Sequence, residues 1–235
     1  MPEAGYKRYA IIVAGGNGIR MNSPVPKQFL KLDGKPILLH SINKFLDTDP
    51  SIEIILVLPQ DYMKFWEALC AEFMFHKPIK IAFSGESRFH SVKNGLELVT
   101  EESIVAIHDA VRPLVSSKTI LATYKAAERY GNAVPAIPIN DSIRQIESTR
   151  TIAVDRSRYC ATQTPQCFRS DIIKKAYLQE YHYTFTDDAM VVEAMGEQIH
   201  LVDGNPENIK ITSPKDLLIA EVLLKAEGQF QTVSK

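Results

Sequence analysis

A chain of 235 residues that is 45% hydrophobic and carries a formal net charge of −1 can bury roughly 70–75% of its unfolded surface, so it fits one large α/β domain or two small ones. That near-neutral balance excludes a nucleic-acid or membrane-surface binder working through bulk charge. The three cysteines, Cys70, Cys160 and Cys167, show no C-x-x-C spacing, which argues against both a disulfide framework and a structural zinc site.

The first predicted element is the most informative. Tyr9-Ala10-Ile11-Ile12-Val13 is an apolar run rich in branched residues, the pattern of a buried parallel strand. It leads into Ala14-Gly15-Gly16-Asn17-Gly18-Ile19-Arg20-Met21, with Pro26-Lys27-Gln28-Phe29 shortly after. Glycines let backbone N–H groups come close to a ligand, and consecutive N–H groups form an anion-binding concavity. Arg20 and Lys27 beside such a loop point to a polyphosphate, above all a nucleoside triphosphate. The dinucleotide fingerprint needs a third glycine where Met21 stands, and no G-x-x-x-x-G-K-[ST] run exists. On the loop alone, an ordinary strand-to-helix turn is the plain alternative.

Further strands are predicted at residues 52–58, 79–83, 104–108, 133–139 and 198–202, after the first at 9–14. Helices are predicted at 36–46, 62–75, 89–99, 118–129, 171–177, 187–194 and 214–226. Pro36 and Pro214 suit first helical turns, and Ser213 with Asp216 reads as a capping box. This β-α-β-α order predicts a single Rossmann-like domain, a mostly parallel sheet with helices on both faces. Ligands in such sheets sit at the carboxyl ends of the strands, where the glycine loop and His108-Asp109 both fall. The alternation breaks at residues 139–160, where two short β-branched runs flank the turn-like Glu147-Ser148-Thr149-Arg150. A protruding two-stranded ribbon is marginal alone, so it packs on the parent domain or on a second subunit. Residues 227–235 are expected to fray. No apolar run reaches the roughly 18 residues of a membrane span, and no leader pattern opens the chain, so a cytoplasmic location is expected.

Four further runs carry chemistry. Gly85-Glu86-Ser87-Arg88, with Ser91 on the following helix, offers hydroxyls and N–H groups to a base or sugar edge, or is simply a capping turn. His108-Asp109-Ala110-Val111-Arg112-Pro113 places a carboxylate and a guanidinium at a strand's carboxyl end. They can bind a ribose, a phosphate or a metal, or pair with each other, and His108 reads as a packed residue. Val154-Asp155-Arg156-Ser157 ends the ribbon; a guanidinium grips phosphate with two parallel bonds, although alone it reads as surface charge. In Asn208-Ile209-Lys210-Ile211-Thr212, Lys210 alternates with two isoleucines and so points away from the core if they face it. Thr186-Asp187-Asp188 reads as a helix start with acids near the dipole.

In their joint order these runs, with Gln163-Thr164-Pro165-Gln166 and Phe185-Thr186-Asp187-Asp188-Ala189, resemble the 2-C-methyl-D-erythritol 4-phosphate cytidylyltransferases from about residue 9 to 226. Two departures are small: Ser84-Gly85 replaces a glycine pair, and Met190 stands where a small polar residue is common. The resemblance implies a nucleotidyltransferase-type fold and transfer of a cytidylyl group from CTP to a sugar phosphate, without a strong base. It implies catalytic roles for Arg20, Lys27, Arg156 and Lys210. It places Ala14, Gly15, Gly16, Asn17, Gly18, Gly85, Glu86, Arg88 and Ser91 at the nucleotide, and Asp109, Ala110, Arg112, Ser142 and Thr186 at the sugar phosphate. It implies Mg2+ bound mainly through CTP phosphates, since no carboxylate cluster would cage it, and a homodimer whose ribbon arm spans residues 139–160. A ribitol 5-phosphate cytidylyltransferase shares the glycine loop, Pro-Lys-Gln and Thr-Pro-Gln. A nicotinamide-dependent oxidoreductase and a non-catalytic nucleotide-binding module are the other classes, disfavoured by the missing third glycine and by the full set of four cations.

Overall fold

The computed structural model describes residues 6–16 and 25–233, with side chains described as far as Ala226. Its frame is one eight-stranded sheet. Four consecutive strands are parallel, running from the middle of the sheet to one edge: β6 (Ser103–Asp109), β1 (Lys7–Val13), β4 (Glu53–Leu58) and, at the edge, β5 (Lys80–Phe83). Continuing past β6 come β11 (Gln166–Arg169), β7 (Asn132–Pro138) and β10 (Cys160–Thr162), and β12 (Leu201–Asp203) also pairs with β7. The order is β10-β7-β11-β6-β1-β4-β5.

Alternation along the strands assigns the two faces. Ala10, Ile12, Ile54, Leu56, Leu58 and Ala106 face α1 (Ile37–Thr48), α2 (Met63–Glu72) and α4 (Ser117–Tyr130). Tyr9, Ile11, Ile55, Val57, Val105 and Ile107 face α3 (Arg88–Glu97), α5 (Ser170–Ala176) and α6 (Asp188–Glu193). Burying both faces is what the near-continuous apolar runs of the central strands require. Truncating a fully buried Ile11 or Ile12 to alanine costs on the order of 2–5 kcal/mol. A third cluster, with Leu32, Ile37, Val111, Leu114 and Ile211, seats α7 (Pro214–Val233) through Ala220.

The predicted parallel centre is present, with three differences. β11 is antiparallel to both neighbours, β6 and β7, and lay inside a run with no strand pattern. Residues 31–36 form a small hairpin, β2 (Lys31–Leu32) with β3 (Lys35–Pro36), turned by Asp33 and Gly34 at φ 47° and 79°. Pro36 therefore precedes the helix as its N-cap instead of lying in the first turn. Helix α2 stops at Glu72, short of the predicted Phe75, as Met74 enters the left-handed region at φ 49°. The capping box at Ser213 and Asp216 forms in both directions, at 2.8 and 3.4 Å, and α7 continues past Ala226 as far as Val233. The ribbon is β8 (Arg144–Glu147) against β9 (Arg150–Ala153), a separate two-stranded sheet whose residues are mostly exposed.

Candidate active site

At the carboxyl edge of β1, β4 and β6 lies a cleft of about 640 Å³. Chain reversals there are tied to the sheet by main-chain bonds: Ala14 N–H donates to Val57 O at 2.8 Å, and Ala110 N–H to Val13 O at 3.1 Å. Ala14, Gly15 and Gly16 form one wall. Gly15 has no room for a side chain, since an added Cβ would lie 2.9 Å from Ser84 Cβ and 3.1 Å from Ser91 Oγ. Across it, Gly85 N–H donates to Ser91 Oγ, whose hydroxyl donates to Ser87 O at 2.9 Å. Ser87 also caps α3 by accepting His90 N–H. An added Cβ on Gly85 would collide with His90 Cβ at 2.4 Å, so Gly15 is the close approach between the two glycine loops and Gly85 the one that folds the second loop onto α3.

Lys27 enters on a short 3₁₀ turn, Lys27–Phe29. Gln28 fixes that turn: 1% exposed, it donates Nε2 to Ala14 O at 2.7 Å and reaches Gly16 O at 3.3 Å. Its buried amide thus ties Lys27 to the glycine loop.

Asp109, the last residue of β6, forms the floor. Its carboxylate meets Lys210 Nζ at 2.9 Å, Arg88 Nε at 3.5 Å and Arg112 Nε at 3.6 Å. Burial alone would raise its pKa; the charge of Arg88, then of Lys210 and Arg112, reverses this and holds the carboxyl well below the usual range. Arg112 also donates to Asn208 O at 2.7 Å, linking the floor to the irregular run that carries Lys210. His108 is fully buried, with Nε2 3.1 Å from Arg112 O and Nδ1 3.1 Å from Thr164 Oγ1. Burial pushes its pKa down to about 4, so it is neutral scaffold, as its place in the sequence suggested.

The cleft gathers Ala14, Gly15, Gly16, Lys27, Gly85, Glu86, Arg88, Ser91, Asp109, Ala110 and Lys210, and Arg112 joins through Asp109. Asn17, Gly18 and Arg20 lie outside the described residues. Ser142, Arg156 and Thr186 do not line the cleft of this one chain. Ser142 is exposed; Arg156, also exposed, donates Nη1 to Asn140 O at the ribbon's base. The hydroxyl of Thr186 is 3.1 Å from Met190 Sδ. Sequence reasoning gave no site role to Gln28 and read Asp188 only as an acid near a helix start. Asp188 is fully buried and binds the fork of Arg88. Its only signal in the sequence was a second acid beside a helix start, where one suffices to cap; Asp187 does the capping, accepting Met190 N–H.

Among the described residues no group of three or more His, Cys, Asp or Glu side chains could hold a metal. Asp109, the buried carboxylate of the cleft, is already held by three cations. The donor set therefore does not fit a protein-held Mg2+.

Residues 9–226 match the family model of 2-C-methyl-D-erythritol 4-phosphate cytidylyltransferase. The enzyme of that name from Bacteroides thetaiotaomicron is 47% identical over 218 residues, covering 93% of this chain and 100% of its own. That from Phocaeicola vulgatus is 48% identical over 217 residues, covering 92% and 99%. The solved 4-diphosphocytidyl-2C-methyl-D-erythritol synthase of Anaerococcus prevotii superposes with a TM-score of 0.81 at 26% identity, over 94% of this chain and 97% of that one. A glycine-walled, cation-lined cleft on this sheet and a match spanning nearly the whole chain agree: the chain belongs to the 2-C-methyl-D-erythritol 4-phosphate cytidylyltransferase family.

Proposed function

We propose that the cleft binds CTP on its glycine side and the sugar phosphate on its Asp109–Lys210 side. The activity is cytidylyl transfer from CTP to 2-C-methyl-D-erythritol 4-phosphate, giving 4-diphosphocytidyl-2-C-methyl-D-erythritol and pyrophosphate in non-mevalonate isoprenoid precursor biosynthesis. The observation that carries the assignment of sides is Lys210, 42% exposed and facing the glycine wall from Asp109. A phosphate oxygen of the sugar attacks the α-phosphorus of CTP in line. The bond from that phosphorus to the bridging oxygen of the leaving pyrophosphate breaks, and no proton has to move. What the protein supplies is position and charge. Arg20 and Lys27 meet the charge that grows on the triphosphate, and Arg156 and Lys210 seat the sugar phosphate. Gly15, Gly16, Gly85, Glu86 and Ser91 enclose the nucleotide, the resemblance adds Asn17 and Gly18 to that side, and Ser142, Thr186 and Arg112 serve the sugar side. Magnesium arrives as the chelate of the triphosphate, part of the substrate.

The same reading makes the protein a homodimer. The ribbon leaves Ile146 80% exposed on one face and Ile152 39% exposed on the other, apolar surface that a partner wrapped around the arm would cover, and such a pair would bring each Arg156 to the neighbouring cleft. Pyrophosphate release measured across several sugar phosphates and all four nucleoside triphosphates tests the function. CTP with methylerythritol phosphate should be fastest; faster turnover of ribitol 5-phosphate would replace the substrate assignment.

A further inference from the structure

A line of alternating charges runs beneath the cleft from α6 to Lys210. Asp188 accepts Arg88 Nη1 on Oδ1 at 2.9 Å and Nη2 on Oδ2 at 2.7 Å. Tyr177 Oη donates to Oδ1 of the same carboxylate at 2.5 Å. Arg88 turns its Nε the other way, to Asp109 Oδ1, while Asp109 Oδ2 faces Lys210 at 2.9 Å. The two-pronged edge of Arg88 that would grip a phosphate is thus gripped by a protein carboxylate. The anchor is itself fixed: Gln166 donates to Asp187 Oδ2 at 2.9 Å and accepts Ala189 N–H at 2.8 Å, clamping the start of α6 to β11.

We infer that Asp188 and Arg88 are positioning residues for the transfer reaction: Asp188 anchors Arg88, Arg88 orients Asp109, and Asp109 aims Lys210 into the cleft. The inference rests on the reading of Lys210 as a sugar-phosphate cation. Asp188, Arg88 and Asp109 are buried or partly buried charges, each paired with another protein charge, and such a pair stays put only while both members remain; Lys210, the exposed end of the line, is held, among the described residues, by Asp109 alone. The relay also wires the segment bearing Thr186, two residues before Asp188, to the loop that carries Gly85.

The test is a mutant cycle on full-length enzyme, with kcat expressed per folded protein. Asp188→Asn should lower kcat about tenfold, the scale of a modest misplacement of a catalytic group. KM for CTP should change less than about threefold, and Asp188→Glu should restore part of the rate. In a Lys210→Ala background Asp188→Asn should cost less than about twofold, because a residue acting through Lys210 loses its effect once Lys210 is gone. A Lys210→Ala enzyme with native kcat would overturn the reading of Lys210 and, with it, the end point of the relay. A damaged Lys210→Ala enzyme in which Asp188→Asn still costs its full factor would overturn the relay alone. Should Asp188→Asn not fold, Tyr177→Phe, which removes only the hydroxyl bound to Asp188, takes its place in the cycle. A few-fold loss confined to the Lys210-containing background supports the relay, and native kcat overturns it.

Discussion

His108 should make the protein's stability fall steeply on the acid side of neutrality. Its ring is packed edge-on against Phe45, centroids 5.1 Å apart, and is fully buried. Arg112 O can only accept, so Nε2 carries the ring proton, and Nδ1 must accept from the Thr164 hydroxyl. Thr164 Oγ1 in turn accepts Asp109 N–H at 3.1 Å. A second ring proton would face a hydroxyl already committed as a donor and place a cation in a dry site. Burial is the main cause that lowers the pKa from its ordinary 6.5 to about 4, with the Asp109 charge opposing it. Because the folded value lies below the unfolded one, the unfolded chain takes up the proton first. Stability is complete above about pH 6.5 and is lost as pH falls, with the loss nearly full at about pH 4. The full shift corresponds to about 3 kcal/mol, of which about 2.5 kcal/mol is gone by about pH 4.5, against a typical total of about 5–15 kcal/mol. The carboxylates act lower down: Glu53 and Asp109 have ordinary values of 4.5 and 3.8, and each is held lower in the fold. Their contributions fade only as pH falls below those values. His40 is also lowered by burial, so the comparison must be between wild type and a His108 variant that retains it.

His108→Gln keeps a donor and an acceptor but does not titrate. Urea unfolding, followed by the fluorescence of the single, buried Trp66 at one fixed protein concentration, gives the free energy at each pH. The stability gap between wild type and variant should shrink by about 2.5 kcal/mol between about pH 7 and about pH 4.5. A gap constant across that range would show that His108 does not hold a depressed pKa, and the tautomer assignment would fall with it.

Arg20→Ala and Lys27→Ala should each cut kcat about 10²–10³-fold in a pyrophosphate-release assay, as for loss of a preorganised charge-stabilising group. Arg156→Ala should weaken sugar-phosphate capture in steady-state kinetics while CTP affinity, titrated alone, holds. Mixing it with Lys27→Ala chains should restore up to about a quarter of native activity, since half of randomly paired dimers are mixed and each has one intact composite site. Gln28→Leu strands the buried Ala14 carbonyl, so urea unfolding should show a loss of about 1–3 kcal/mol, and kcat should fall with it. Gly15→Ala collides with Ser84 and Ser91, whereas Gly16→Ala meets nothing within 4 Å. The first should therefore destabilise the empty protein, and the second should weaken only CTP binding by calorimetric titration.

The sheet's centre was legible because β1, β4 and β6 are buried on both faces and so must be written as unbroken apolar runs. β11 was not, because only Cys167 and Phe168 of its four residues are apolar and they follow the polar Gln163-Thr164-Pro165-Gln166. A short strand in the middle of a sheet draws its stability from its neighbours, here β6 and β7, and leaves little period to read. The hairpin at residues 31–36 did carry a signal: Asp33-Gly34 is a turn dipeptide that takes positive φ at both positions, and its brevity hid it beside the longer helix that follows.

Within the site, the residues with ordinary chemistry were legible and those that hold them were not. A cation beside a glycine loop points to a polyanion, so Lys27 could be named from its own surroundings in the sequence; Lys210, Asp109 and the run at Gly85 were named through the resemblance, and all of them line one cleft with Gly15 and Gly16. Gln28 and Asp188 are polar residues spent wholly inside the protein, one on main-chain carbonyls and one on a guanidinium. Their sequence neighbourhood is that of any short turn or helix start, and only the three-dimensional partner gives them meaning. This follows from the chemistry: a reaction that needs no base relies on fixed charge, and fixed charge in a partly dry cleft needs a rigid second layer of opposite charge to hold it. The more completely such a layer is buried, the less of it shows as a pattern along the chain.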